Sequence, residues 1–291
     1  MELRRSMLFI PGNNPGMLQN GGVFGADAVI LDLEDAVSPG EKDAARLLVR
    51  EALRAVDYGA SEKVVRINTL ATYGAADIRA VVSCRPDVLL LPKVQSAQDI
   101  LETVRLIESC EQPGQPEVKL IALIETPRGL AEALAIASVS PRVAALALGA
   151  EDYTAAIGAQ RTREGTEIIM ARANLVNAAA AAGIQAIDTP YTDVNDEEGL
   201  LTDTKVARQL GFKGKLAINP RQIENIHSVF NPSSGEIRWA ERVLDATRLA
   251  EREGSGVAAL DGKMVDAPIV QRAEQVLHIA RRLGLAEEEQ V

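Results

Sequence analysis

Short apolar runs alternate with helical segments eight times along most of this chain. Each run is bounded by Gly, Pro or polar residues, a pattern typical of the buried parallel strands of α/β proteins. Eight alternations within about 230 residues match the count and size of an α/β (β/α)8 TIM barrel, so we predict that fold. The expected strands are Ser6–Ile10, Ala28–Leu33, Lys63–Ile67, Val88–Leu91, Leu120–Ile124, Val143–Leu148, Gln185–Ile187 and Leu216–Ile218.

The segments between these runs predict the outer helices of the barrel. Ser96 is expected to cap one helix at its N-terminus, and Gly183 to end another. The expected helices are approximately Pro15–Phe24, Gly40–Val56, Gly74–Cys84, Ala97–Cys110, Pro127–Ser138, Thr162–Ala182, Asn195–Leu210 and Gln222–Val229.

The pattern changes beyond Pro232, where we predict a C-terminal helix–hairpin–helix extension. Ser234–Glu253 and Pro268–Leu283 are the two expected helices, and Asp261-Gly262 between short apolar runs is a strong hairpin signal. We therefore expect a barrel domain at 1–231 and an extension at 232–291. An extension of that size is too small for its own core and must pack on its own barrel or on a neighbouring subunit's barrel.

Composition excludes several classes of partner. Aromatic residues make up only 3% of the chain, so the core must be aliphatic. The formal charge of −10 argues against nucleic acid or an anionic membrane as a partner. Cys84 and Cys110 form no metal-binding motif, and the N-terminus has only about five apolar residues before Pro11, too few for a signal peptide. A cytoplasmic enzyme is the expectation.

Two strand-end acids predict a metal site. Glu125 follows the fifth apolar run, and Glu151 and Asp152 follow the sixth. Because the carboxyl ends of successive parallel strands meet at one edge, Glu125 and Asp152 should lie side by side. Two carboxylates without a nearby His or Cys are suited to a hard cation such as Mg²⁺. The alternative is a pair of acids that cap helices or form salt bridges.

Other polar residues at the ends of strands are candidates for the same site. Arg66, at the end of the third strand, could bind a substrate carboxylate with its planar guanidinium, or could instead pair with a nearby acid. Glu34 and Asp35 could act in catalysis, hold metal-bound water, or mark the entry of a helix. Lys93 could form a Schiff base, although no partner that would lower its pKa is evident from the sequence.

A metal, an arginine and an aspartate from the extension would suit cleavage of a carbon–carbon bond next to a keto acid. The metal would polarise an oxygen and Arg66 would hold developing charge, and one acid–base group is still needed to protonate the departing enolate. The hairpin that ends at Asp266 could reach a partner's active site. The chain has no Gly-x-Ser-x-Gly elbow, dinucleotide-binding glycine motif or Walker loop.

Several segments resemble the HpcH/HpaI aldolase/citrate lyase family of magnesium-dependent barrel enzymes, and within it the citrate lyase beta subunits. The resemblance extends over nearly the whole chain, and the segments are RSMLFIPGNNPGML, DAVILDLEDAVSPGEKDAAR, VVRIN, LIET, LALGAEDY, INPRQIE and EREGSGVAALDGKMVDAP.

The resemblance implies cleavage of a citryl thioester, carried on the phosphopantetheine of an acyl carrier protein, to an acetyl thioester and oxaloacetate. It implies Glu125 and Asp152 as Mg²⁺ ligands, Glu125 and Arg66 at the substrate, and Asp266 as an acid–base group that relatives donate from an adjacent subunit. It further implies an alpha subunit and an acyl-carrier gamma subunit as partners of a homo-oligomer, a trimer or hexamer.

Two alternatives remain open from the sequence. The chain could be a stand-alone lyase of malyl-CoA or citramalyl-CoA, because coenzyme A carries the same phosphopantetheine arm. It could also be a non-catalytic scaffold subunit of a lyase complex.

Overall fold

The computed structural model describes residues 2–252 and 258–286, and within them eight parallel strands close into a barrel. Neighbouring strands pair in sequence order, and the first strand pairs with the eighth to complete the ring. The predicted (β/α)8 barrel is therefore confirmed. The strands are β1 Ser6–Pro11, β2 Ala28–Asp32, β3 Glu62–Arg66, β4 Val88–Leu91, β5 Lys119–Ile124, β6 Val143–Leu148, β7 Gln185–Asp188 and β8 Gly214–Ala217.

Helices occupy the connections between these strands. Ser96 caps α4 as expected, and its hydroxyl and the Asp99 carboxylate form a reciprocal capping box. The helices of this part of the chain are α1 Pro15–Asn20, α2 Lys42–Ala55, α3 Gly74–Val81, α4 Ala97–Cys110, α5 Pro127–Ala131, α6 Ala133–Ser138, α7 Ala150–Ile157, α8 Ile169–Ala181, α9 Glu197–Leu210 and α10 Gln222–Phe230.

The helices expected to reach Phe24 and Cys84 end at Asn20 and Val81 and continue as 3-10 helices, and two other helix predictions differ more from the structure. The single helix expected from Pro127 to Ser138 is divided at Glu132 into α5 and α6. The helix expected from Thr162 starts only at Ile169, after a short 3-10 turn. Gly165 has a left-handed φ of 67°, and its N–H donates to the Thr162 hydroxyl, so these residues form a turn instead of a helix.

The barrel interior is aliphatic, in agreement with the composition. Its buried cluster consists mainly of Val, Leu, Ile and Ala from all eight strands: Met7, Ala28, Ile30, Val64, Val88, Leu90, Ile121, Leu123, Ala145, Ala147, Ile187 and Leu216. Branched side chains of this kind fill the centre of such barrels, so the centre is a packed core and not a pore. Among the described residues, no helix is both long enough and apolar enough to cross a lipid bilayer.

The chain divides into two compact units, Met1–Val229 and Phe230–Val291. The second unit contains α11 Ser234–Arg252, a hairpin of β9 Ala258–Leu260 and β10 Lys263–Val265, and α12 Ala267–Arg282. Domain bounds of 1–231 and 232–291 remain our proposal.

The predicted hairpin turn is present in the second unit. Asp261 and Gly262 both have positive φ, 50° and 74°, as a type I′ turn requires. The helices α11 and α12 bury a small apolar cluster that includes Val243 and Leu277. The predicted end of the first extension helix, Glu253, and the last residues, 287–291, lie outside the described residues.

Candidate functional site

Two acids at the carboxyl ends of β5 and β6 line one cavity. Glu125 directly follows β5, and Asp152 lies in the first turn of α7, which follows β6. Because β5 and β6 are hydrogen-bonded neighbours, both residues reach the same end of the barrel. The cavity has a volume of about 350 Å³ and is also lined by Arg66. Glu125 is 5% exposed and the Asp152 side chain 49% exposed, so the pair extends from the interior to the mouth.

Asp152 is positioned by a helix that the sequence analysis did not predict. Gly149 precedes α7 and has no side chain to cap it. Instead the Ala150 N–H donates to the Thr189 hydroxyl at the end of β7, at 3.1 Å. The neighbouring Glu151 pairs with Arg161 at 2.9 Å. The start of α7 is therefore held by the next strand of the barrel.

Arg66 is fixed in the cavity by Asp32. Its Nε donates to Asp32 Oδ1 at 2.7 Å and its Nη2 to Asp32 Oδ2 at 2.6 Å. The guanidinium carbon lies 4.7 Å from the centre of the Phe9 ring. Burial acts to lower the pKa of Arg66, but the hydrogen bonds and charge of Asp32 outweigh it and hold the pKa above its ordinary value. A rigid, permanently charged guanidinium is suited to binding a carboxylate.

Four carboxylates and one ammonium group lie close together beside this arginine. Lys93 Nζ donates to Glu34 Oε1 at 2.7 Å, and the Lys93 N–H donates to Glu125 Oε2 at 2.8 Å. Arg66 Nη1 lies 3.0 Å from Glu34 Oε2. We use the name acid cluster for Glu34, Asp35, Glu125 and Asp152.

Burial and nearby negative charge make two carboxyl groups of the acid cluster, those of Glu125 and Glu34, difficult to ionise. Burial, together with the nearby charges of Glu34 and Asp152, raises the pKa of Glu125 to about 8, although the Lys93 N–H acts to lower it. Burial also raises the pKa of Glu34 above its ordinary value. A cation that bound here would relieve both effects.

The donor set fits a hard cation. A Cβ atom at Gly149 would overlap Glu125 Cγ and lie 2.8 Å from its Oε1, so the glycine leaves the space that this carboxylate occupies. Among residues 2–252 and 258–286, no group of three or more His, Cys, Asp or Glu side chains is arranged to hold a metal ion. Mg²⁺ commonly binds through one or two carboxylates and completes its octahedron with water and substrate oxygens, so Glu125 and Asp152 suffice. Their role as ligands remains a prediction.

The surroundings of Lys93 do not suit a Schiff base. Burial acts to lower the pKa of Lys93, but the hydrogen bond to Glu34 and the charges of Asp35 and Glu125 outweigh it and hold the pKa above its ordinary value. An imine-forming lysine needs the opposite shift, because only the neutral amine is nucleophilic.

Asp266 belongs to the second unit. It directly follows β10, and its Oδ1 accepts a hydrogen bond from the Ile269 N–H at 3.2 Å as the N-cap of α12. Its side chain is exposed. The catalytic role that the resemblance implies for it remains a prediction.

Other charged residues and the two histidines lie outside the acid cluster, where they form ion pairs or hydrogen bonds or are exposed. Arg163 pairs with Asp196 at 2.7 Å, and Arg161 pairs with Glu151 and Glu167. His227 Nε2 lies 2.7 Å from the Ser6 hydroxyl, and His278 is exposed on α12.

Sequence reasoning did not include Asp32 among the site residues. Asp32 is buried at the end of β2, directly opposite Arg66 on β3. It also accepts hydrogen bonds from the backbone N–H groups of Glu34 and Ala36. The alternation of Asp32 and Glu34 in the run Ile-Leu-Asp-Leu-Glu could have indicated that both point to the same side.

Comparison with known proteins identifies close relatives. The family described as HpcH/HpaI aldolase/citrate lyase matches residues 5–220. The citrate lyase subunit beta of Haemophilus influenzae is 46% identical over 99% of this chain and 100% of its own length. The (3S)-malyl-CoA thioesterase of Cereibacter sphaeroides is 36% identical over 96% of this chain and 95% of its own length.

Two solved structures from Mycobacterium tuberculosis are similar to this fold. The protein CitE in complex with magnesium, acetoacetate and coenzyme A has a TM-score of 0.77 and 33% identity, over 96% of this chain and 98% of that chain. A citrate lyase beta subunit complexed with oxaloacetate and magnesium has a TM-score of 0.68 and 32% identity, over 80% of this chain and 100% of that chain.

Proposed function

This chain belongs to the HpcH/HpaI aldolase/citrate lyase family, and on that premise we propose that it acts as a citrate lyase beta subunit. It is a carbon–carbon lyase that cleaves a citryl thioester to an acetyl thioester and oxaloacetate. The observation that carries this proposal is one cavity lined by the strand-end acids Glu125 and Asp152 together with Arg66, which Asp32 holds in place.

Glu125 and Asp152 would hold Mg²⁺ through their carboxylate oxygens. When bound, the ion supplies Lewis-acid polarisation of the substrate oxygen that becomes the keto oxygen of oxaloacetate. The magnesium found with relatives of this fold supports the assignment.

Arg66 would bind the carboxylate of the keto acid. Asp32 occupies its Nε edge, so the substrate meets a guanidinium that is already oriented. Preorganisation of this kind stabilises charge as it develops in the reaction without moving the protein.

Cleavage also requires two proton transfers. The substrate hydroxyl loses a proton as it becomes the keto group, and the electron pair of the broken bond moves to the carbon beside the thioester carbonyl. That carbon then takes up a proton to become the acetyl methyl group. We assign Asp266 as the acid–base group for this carbon, from its own or a neighbouring subunit. Glu34 and Asp35 would support the reaction by orienting Arg66, Lys93 and bound water.

The beta-subunit name of the relatives implies assembly with other subunits. We propose an alpha subunit and an acyl-carrier gamma subunit as partners, a citryl group on phosphopantetheine as substrate, a trimeric or hexameric homo-oligomer, and a cytoplasmic location.

The direct test is to incubate the purified protein with citryl on carrier protein and with citryl-, malyl- and citramalyl-CoA, each with Mg²⁺ and with a chelator, and to measure the keto acid released. We expect oxaloacetate from the citryl thioesters, with Mg²⁺ only. Glu125→Gln and Asp152→Asn should abolish release, while the exposed variant Glu164→Gln should not.

The alternatives give different results in the same assay. Faster cleavage of malyl-CoA or citramalyl-CoA would identify the stand-alone lyase, for which the likeness to malyl-CoA thioesterases is the supporting observation. No cleavage of any thioester, with no change of melting temperature in Mg²⁺, would identify a scaffold.

A further inference from the structure

Lys93 combines an unusual backbone conformation with a central position in the site. Its φ is 55°, a left-handed value that is unfavourable for residues other than glycine. In the described part of the chain Arg85 and Asp261 are the other such residues, and they lie at the end of a 3-10 helix and in the hairpin turn. Strained backbone persists where the surrounding contacts impose it, often at functional sites.

Lys93 contacts each carboxylate of the acid cluster. Its N–H donates to Glu125 Oε2 at 2.8 Å, and its ammonium donates to Glu34 Oε1 at 2.7 Å. The ammonium nitrogen also lies 3.7 Å from Asp35 Oδ1 and 3.8 Å from Asp152 Oδ2. One residue therefore connects acids that follow β2, β5 and β6.

Charge balance explains why a lysine is present at this point. Among the described residues, Arg66 is the other cation that forms ion pairs with the acid cluster, at Glu34 and Asp35, and it is shared with Asp32. The Lys93 ammonium lies beside Asp152, which we also assign as a ligand of the divalent cation. Two cations beside one carboxylate repel each other.

We propose that Lys93 is a positioning residue with two separate effects on the cation site. Its ammonium is the resident counter-ion of the acid cluster and weakens the affinity for a divalent cation. Its left-handed backbone aims the N–H at Glu125 and so fixes that carboxylate. This inference rests on the proposed cation site.

The charge effect is tested by titrating the full-length protein with Mg²⁺ and with Mn²⁺ in a calorimeter, without substrate. Lys93→Met keeps the length of the side chain and the backbone N–H but removes the charge. We expect it to bind either ion at least about tenfold more tightly. The repulsion between the Lys93 ammonium and a nearby divalent ion is larger than the free energy that corresponds to a tenfold change in affinity. Lys93→Arg, which keeps the charge, and Lys119→Met, at an exposed pair with Glu117, should bind as the wild type does.

Unchanged or weaker binding by Lys93→Met would overturn the counter-ion role. Lys93→Gln provides the same comparison if the methionine variant does not fold. A different result would contradict the cation site itself: a wild type that binds neither ion, or that binds them with the same affinity as Glu125→Gln.

The backbone effect is tested by Lys93→Gly. This variant removes the same charge, but glycine adopts a φ of 55° without strain, so the N–H stays directed at Glu125. We expect its affinity for Mg²⁺ to equal that of Lys93→Met. A clearly lower affinity in Lys93→Gly would show that a left-handed backbone by itself does not fix the Glu125 carboxylate.

Discussion

Arg66 and Asp32 face each other across the ends of β3 and β2 and form two parallel hydrogen bonds, of 2.7 and 2.6 Å. The two residues are directly paired in the strand register, so the barrel itself sets their separation. Asp32 thereby determines the plane of the guanidinium that we assign to the substrate carboxylate.

Asp32→Asn should impair both stability and catalysis. The amide keeps the shape but leaves the buried guanidinium without its full charge partner, so we expect the free energy of unfolding to fall by about 3 kcal/mol. A displaced Arg66 should lower kcat/KM for citryl thioester cleavage by about 100-fold. Urea unfolding and steady-state kinetics measure the two effects. Asp43→Asn is the control, because Asp43 pairs with Arg46 at the surface; equal losses in both variants would contradict the role of Asp32.

The titration of Glu125 should lower the stability of the metal-free protein as pH rises from about 4.5 to 8. Glu125 has a pKa of about 8 in the folded protein against an ordinary value of 4.5, so the folded state holds a proton that the unfolded chain has lost. Thermal unfolding in chelator across this pH range measures the slope. Glu125→Gln cannot titrate and should flatten it, whereas the exposed variant Glu164→Gln should leave it unchanged. An identical slope in the wild type, Glu125→Gln and Glu164→Gln would contradict the raised pKa of Glu125. The same pKa predicts that Mg²⁺ binding at pH 7 releases a proton.

Gly149→Ala should damage the cation site more than the fold. The backbone φ of −103° accommodates alanine, but the added Cβ would overlap the Glu125 side chain. Because the carboxylate can swing aside, we expect a loss of about 1 kcal/mol or less in stability and a fall in Mg²⁺ affinity of about tenfold or more. Calorimetric titration measures the affinity. Gly40→Ala, where an added Cβ meets nothing within 4 Å, is the matched control.

Lys215→Met should strongly destabilise the barrel. Lys215 is 0% exposed, and its Nζ donates to Asp188 and Asp203 at 2.6 Å each, while Arg172 binds the same two acids. Removing one charge from this buried network leaves an unbalanced acid, so we expect a loss of about 3–5 kcal/mol. Lys119→Met, at an exposed pair, should cost less than about 1 kcal/mol. Urea unfolding compares them, and similar midpoints would contradict the prediction.

The barrel could be predicted because strands that are buried on both faces need continuous apolar runs. The bounds expected for β4 and β6 agree with the structure at both ends. The Asp261-Gly262 turn was equally predictable, because a type I′ turn needs two residues that tolerate positive φ.

Helix α7 could not be predicted by the same means. It has eight residues, follows a glycine, and depends on the Thr189 hydroxyl at its start. A cap that comes from another strand has no signature beside the helix in the sequence. The late start of α8 has a local cause, the turn around Gly165, which the alanine-rich pattern obscured.

The sequence by itself determined the strands, the hairpin and the acids that follow β5 and β6, because burial and turn chemistry act over a few neighbouring residues. Only the tertiary structure decided which charges meet. Arg66 pairs with an acid 34 positions away and Lys93 with one 59 positions away. Those contacts depend on which residues of different strands lie opposite each other in the closed barrel, and no local pattern encodes that pairing.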